Sequence, residues 1–168
     1  MVAKSPPILL LAGYSSSGKT TLLEQILAGL TARGYRVATV KHTSKAVRMD
    51  EEGKDSWRHR EAGAVATFLV AANGVAAYME KDESTGPGTL VKLCPEGTDL
   101  LLVEGFKGIT GHPRIEVFGE GVEIAAPGPE TILRVTANPG LTDHGEGIYS
   151  RDEVDGVVEA IAEKLLGG

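Results

Sequence analysis

Cys94 is the only cysteine among 168 residues. A single thiol makes no internal disulfide and no cysteine-based zinc site, which fits a reducing compartment. It reads as a small apolar core side chain. Aromatic residues are also scarce, at 5%, which argues against a base-stacking nucleic-acid surface. Positive charge is in deficit: the formal net charge is −6. Such a chain is a poor general binder of polyanions, so any phosphate binding must be local. The apolar run near the start, Ile8-Leu9-Leu10-Leu11-Ala12, is far too short to cross a bilayer, and no signal peptide precedes it. These absences together predict a cytoplasmic protein with neither nucleic-acid nor membrane partners.

Hydrophobic residues make up 42% of the chain, enough for the core of an ordinary globular protein, and one domain over residues 1–168 is expected. Ile8 to Ala12 reads as a strand buried on both faces. Leu22, Leu23, Ile26, Leu27 and Leu30 recur at helical spacing, predicting a helix over 19–33 that is closed by Gly34. A second strand over 35–41 completes a βαβ unit. Asp55 or Ser56 is placed to cap a short helix through Ala62. Strands over 65–71 and 75–79 flank Asn73-Gly74, a hairpin signal. Further strands are predicted at 100–103, 114–118 and 132–136, a glycine-rich loop at 138–147, and a last helix from about Asp152. The sum is an α/β fold: three layers around a mostly parallel central sheet, with antiparallel hairpin additions.

Gly13-Tyr14-Ser15-Ser16-Ser17-Gly18-Lys19-Thr20 has the form of a phosphate-binding loop. Its glycines permit dihedrals that turn successive N–H groups toward phosphate oxygens, and a helix N-terminus follows. Backbone and side chains of Gly13, Ser15, Ser16, Ser17, Gly18, Lys19, Thr20 and Thr21 are the expected nucleotide contacts. The Lys19 ammonium is expected to reach the β- and γ-phosphates and the Thr20 hydroxyl to ligate Mg²⁺. A buried strand before the motif and an apolar-striped helix after it are the context this reading requires.

Magnesium needs a further hard oxygen ligand. Asp99-Leu100-Leu101-Leu102-Val103-Glu104-Gly105 is an apolar run ending in a carboxylate at a strand's carboxyl end, so Glu104 is the expected metal-side acid; the alternative is a solvated strand-end acid. Gly105 is expected near the γ-phosphate, where a side chain would obstruct. Asp50 lies in the loop after the second strand, placed to touch Mg²⁺ or orient the attacking water; an exposed loop acid is the alternative. Asn138 follows the last strand and is a candidate for the base edge, or a turn residue before Pro139-Gly140. No Asn-Lys-x-Asp guanine box is present. No catalytic arginine is evident, Arg58 or Arg60 serving only if a second subunit brings one close.

Lys41-His42-Thr43, Asp50, Gly53-Lys54-Asp55-Ser56 and Ala62-Gly63-Ala64 resemble the MobB family, the molybdopterin-guanine dinucleotide biosynthesis adaptor proteins. So do Leu102-Val103-Glu104-Gly105-Phe106-Lys107 and Pro113-Arg114-Ile115-Glu116-Val117. The resemblance runs from about Ile8 to Val117. It implies a homodimer that binds GTP with Mg²⁺ and hydrolyses it slowly; with no catalytic arginine evident, faster hydrolysis is expected only where a partner activates it. It further implies an accessory role in molybdenum cofactor biosynthesis, beside a MobA-type guanylyltransferase that joins GMP to molybdopterin, and contact with molybdopterin or its guanine dinucleotide. It strengthens the placement of Asp50 at the metal. Ser44-Lys45 departs from the histidines often found there in the family, which leaves a metal-holding role for that stretch unsupported. Two rival readings stand: a P-loop small-molecule or nucleotide kinase, and an adaptor that holds GTP without hydrolysing it. A kinase requires an arginine-rich lid, and residues 81–88 contain no arginine. An edge for dimer pairing is expected from the hairpin at 65–79 and from the strand at 114–118.

Overall fold

The structure is a computed structural model that describes residues 5–106 and 108–167; Lys107 of the Leu102–Lys107 motif lies outside them. The chain divides into two compact units. One comprises residues up to Thr43 and from Gly86 onward, the other Ser44–Thr85.

The larger unit is built on a six-stranded sheet in which every neighbouring pair is parallel. Its strands are β1 (Ile8–Gly13), β2 (Val37–Lys41), β5 (Leu100–Glu104), β6 (Arg114–Phe118), β7 (Thr131–Thr136) and β8 (Ile148–Ser150). Their order across the sheet is β2-β5-β1-β6-β7-β8. Leu9 and Leu11 of β1 face one side, where they pack with Leu22, Ile26 and Leu30 of α1 (Lys19–Ala32) and with Val157, Val158 and Ile161 of α4 (Val154–Ile161). Ile8 and Leu10 face the other side, with Leu101, Val103 and Val91, which follows the short helix α3 (Pro87–Leu90), and half-buried Cys94 and Ile109 pack against them. This alternation explains why β1 and β5 read as unbroken apolar runs: helices or turns cover both faces of a central parallel strand. Burial raises the Cys94 thiol above its ordinary range, in keeping with a core side chain.

Helix α1 ends as its sequence predicts. Gly34 takes φ 89°, its N–H bonds the Thr31 carbonyl, and the Tyr35 N–H reaches back to Leu30. That pair of bonds is a Schellman closure, and Tyr35 packs on the core beneath it.

The smaller unit holds α2 (Asp55–Glu61) and the antiparallel pair β3 (Ala66–Ala71) and β4 (Gly74–Met79). Asp55 is the first helical residue and Lys54 the cap, which makes no side-chain capping bond; the Ser56 hydroxyl instead donates to Asp50. The hairpin turn is Ala72–Asn73, one residue earlier than expected. Neither residue has positive φ, and Gly74 already pairs with Ala71.

Two features depart from the sequence reading. β8 lies where no strand was expected, just beyond a glycine-rich loop, because three residues are too few to show a period. β6 cannot supply the expected free edge: it is flanked on both sides, by β1 and β7.

Gly29 shows how closely α1 and α4 approach. A β-carbon there would lie 2.8 Å from Val158 Cγ2. Alanine improves helix propensity by ~1 kcal/mol, whereas overpacking costs ~1–3 kcal/mol. Gly29→Ala is therefore expected to lower the thermal midpoint; a raised midpoint in a thermal unfolding scan would show that α4 yields freely.

Candidate functional site

β1 enters the phosphate loop at Gly13 and α1 leaves it at Lys19. Gly13 has no room for a side chain, because a β-carbon would collide with the Val117 carbonyl oxygen and sit 2.9 Å from Ser17 Oγ. Ser16 (φ 62°) and Gly18 (φ 85°) occupy the left-handed region, a conformation that costs a non-glycine residue energy and recurs at ligand clamps. The Ser17 N–H closes the turn onto the Tyr14 carbonyl at 3.3 Å. Ser17 is buried, whereas Ser15, Ser16, Thr20 and Thr21 are exposed. The Lys19 ammonium folds over the loop, donating to the Tyr14 carbonyl and, at 3.4 Å, to Ser17 Oγ. The loop is thus a compact turn with a cation held across it at the N-terminus of a 14-residue helix, the arrangement that attracts anions.

Glu104 closes β5 and is only 5% exposed. Thr20 Oγ1 donates to its carboxylate at 2.9 and 3.1 Å. Lys41 forms an ion pair with Oε1. The β2–β5 register sets Lys41 directly beside Glu104, so adjacent parallel strands supply both charges. Among the described residues no cluster of three or more histidine, cysteine or acidic side chains forms a closed metal cage. The donor set that does exist, one hydroxyl touching one carboxylate, fits Mg²⁺. This ion takes hard oxygens, keeps several waters, and draws the rest of its ligands from phosphate. Thr20 and Glu104 are therefore the residues of the larger unit that would hold it.

The structure brings Thr20 and Glu104 together but gives Gly105 a different reason to be glycine. At φ 104°, a β-carbon would meet the His42 carbonyl oxygen at 2.7 Å. His42 packs against Phe106, ring centroids 4.2 Å apart. Asn138 spends its carboxamide on the backbone, accepting from the Gly121 N–H at 2.6 Å and donating to the Val122 carbonyl at 2.7 Å. It ties the end of β7 to the turn after β6, so contact with a base edge would require those bonds to open. Arg114 is tied internally to Glu130 and the Ile109 carbonyl. The Gly111 N–H, followed by Arg114, holds the Glu130 carboxyl below its ordinary range.

Asp50 belongs to the smaller unit. Its Oδ1 accepts from Ser56 Oγ at 3.0 Å and from the Glu51 N–H at 2.8 Å. Arg60 lies 3.7 Å from Oδ2 and stacks 4.8 Å from the centroid of the Tyr78 ring. The Gly53-Lys54-Asp55-Ser56 block thus shapes the start of α2 so that Ser56 meets Asp50. Arg58 pairs with Asp55 at the exposed surface.

Two functional candidates escaped the sequence reading. Lys41 was visible as the end of a strand and as part of the Lys41-His42-Thr43 motif, without a role; its partner became apparent through register. Arg151 bonds the Ser17 carbonyl from 134 positions away, a separation at which no local spacing carries a signal.

The sequence model of the family described as molybdopterin guanine dinucleotide synthesis protein B, MobB, matches residues 8–137. The chain is 38% identical over 136 residues to the molybdopterin-guanine dinucleotide biosynthesis adapter protein of Haemophilus influenzae, covering 79% of this chain and 75% of that one. The probable adapter protein of the same name from Bacillus subtilis is 30% identical over 153 residues, covering 88% and 87%. The crystal structure of Bacillus subtilis MobB superposes with a TM-score of 0.71 at 27% identity, over 96% of this chain and 99% of that chain.

The Lys41–Glu104 pair generates a stability prediction. Lys41 is half exposed, which discounts the pair toward the value of a surface bridge, but Glu104 is buried and loses the cation paired with it. Lys41→Met is expected to cost on the order of 1 kcal/mol in denaturant unfolding without Mg²⁺. Adding Glu104→Gln should recover most of that loss, since a neutral amide needs no cation. Simply additive losses would show that the two groups act independently.

Proposed function

Since this chain belongs to the MobB family, we propose that it is an adapter in molybdopterin-guanine dinucleotide biosynthesis that works by binding a magnesium nucleoside triphosphate, GTP, and hydrolysing it slowly. The Thr20–Glu104 contact carries this reading. A hydroxyl on the first turn of α1 touches a buried carboxylate at the end of β5, beside a loop spanned by Lys19. Phosphoryl transfer asks chiefly for positioning and charge neutralisation. In this reading the loop amides and Lys19 hold the phosphates, Thr20 and Glu104 hold Mg²⁺, and the metal supplies charge neutralisation at the phosphate oxygens. Asp50, which faces Arg60 within the smaller unit, is kept as the acid proposed for the metal or the attacking water. Water is the acceptor, and a MobA-type guanylyltransferase is the partner that gives turnover its purpose.

A homodimer is part of the proposal. One face of the β3–β4 pair, where Phe68 stands beside the directly paired Val70 and Val75, is apolar and uncovered: Phe68 is 65% exposed, Val70 74% and Val75 68%. A two-stranded sheet is marginal on its own, and exposed apolar patches of this kind mark association surfaces.

Lys19→Ala is expected to weaken GTP binding by on the order of a hundredfold, the scale of losing a charge-assisted contact to phosphate. A filter-binding titration checks it, with ATP as competitor to read base preference; unchanged affinity would falsify the phosphate-site assignment. Phosphate release from GTP with no added acceptor separates hydrolysis from a kinase reaction. Phe68→Glu is expected to yield a monomer by sedimentation at micromolar concentration, and a persistent dimer would place the interface elsewhere.

A further inference from the structure

The phosphate loop has an outer wall that the proposed nucleotide contacts do not include. Arg151 follows β8, where its N–H donates to the Thr136 carbonyl at the end of β7 at 2.8 Å. The turn is locked on its other side by Glu153, whose carboxylate accepts the Ser150 N–H at 2.7 Å and whose N–H returns to the Ser150 carbonyl at 3.1 Å. From this fixed base the guanidinium lies against the phosphate loop. Its Nη2 donates to the Ser17 carbonyl. Its carbon and both terminal nitrogens lie 2.7–2.8 Å from where a β-carbon on Gly18 would stand. A further donor, Nε, is buried and lacks a hydrogen-bond partner.

The geometry points to Arg151 as a positioning residue that sets the direction of the phosphate loop's Ser17–Gly18 peptide. The inference rests on the nucleotide reading of this site. A trans peptide is planar, with carbonyl and N–H on opposite sides, and the described chain contains no cis bond. Holding the Ser17 carbonyl outward therefore aims the Gly18 N–H the other way, away from the guanidinium. The orientation of such loop amides is what an anion recognises. Arginine suits the task because its planar fork lies flat over a glycine Cα. Gly18 then answers two demands at once, a φ of 85° and space for the guanidinium. The charge sits behind the loop wall and adds positive potential there without occupying the phosphate's place.

Calorimetric titration with GDP and Mg²⁺ tests this on the full chain, comparing Arg151→Gln, Arg151→Lys and Lys19→Ala with the parent. Nucleotide-free thermal melting is followed in parallel. Arg151→Gln is expected to bind at least about tenfold more weakly, the scale of one charge-assisted hydrogen bond, while melting close to the parent. Arg151→Lys keeps the charge without the fork and should fall between the two. Parent affinity in either folded Arg151 variant, while Lys19→Ala loses binding, overturns the inference and leaves the nucleotide reading standing. Parent affinity in Lys19→Ala overturns the nucleotide reading, and the role of Arg151 goes with it. If Arg151→Gln does not fold, the lysine variant decides alone. Weak binding accompanied by a collapse of nucleotide-free melting in both variants would assign Arg151 to the fold instead.

Discussion

A carboxylate held almost out of water must have a cation or strong donors, because an uncompensated buried charge costs several kcal/mol. Glu104 is in that position at the end of β5, and the surroundings of the site follow from meeting its need. Lys41 meets it from one side, in register on β2. Thr20 meets it from the other, one step inside α1. The Thr20 bond links the helix after the phosphate loop to the strand beside β1, so the loop's exit and the sheet's mouth are held by one side chain. The same carboxylate and hydroxyl form the oxygen pair that suits Mg²⁺ in the proposed reading. Lys41 and the metal are then alternative answers to one electrostatic demand.

The acidity of the chain is reconciled with the proposed phosphate binding at this scale. A net charge of −6 makes the whole molecule a poor partner for polyanions, yet Lys19, Lys41 and Arg151 surround one end of the sheet. Each is fastened to a backbone carbonyl or a carboxylate. A few fixed cations together with a helix N-terminus concentrate positive potential locally, which is what recognition of a single compact anion requires. The left-handed Ser16 and Gly18 belong to the same economy: backbone strain is tolerated where it orients amides.

The smaller unit follows a different logic. Ser56, Asp50, Arg60 and Tyr78 make a chain of polar and ring contacts about α2, while the hairpin beside it leaves large apolar side chains in solvent. Two strands and one short helix bury too little to cover both faces of a sheet. The proposed association surface would account for such residues there, and it agrees with an adapter role.

Much of this architecture was legible from the residues themselves. Continuous apolar runs at Ile8 and Leu100 announced strands covered on both faces, since only parallel central strands dispense with alternation. Helix α1, its glycine closure and the phosphate loop are local patterns, spelled by neighbours within a few positions, and the acid at Glu104 could be read from its place at the end of such a run. Other features depended on non-local pairing. Lys41 became the partner of Glu104 through strand register, β6 became an interior strand through sheet order, and Asn138 was drawn into a backbone clasp by a turn 16 residues upstream. Arg151 met Ser17 because β8 ends beside the loop. Local spacing encodes dihedrals and periodicity, whereas contacts across 63 or 134 positions exist only once the sheet has assembled, and there tertiary packing alone decided which charges meet.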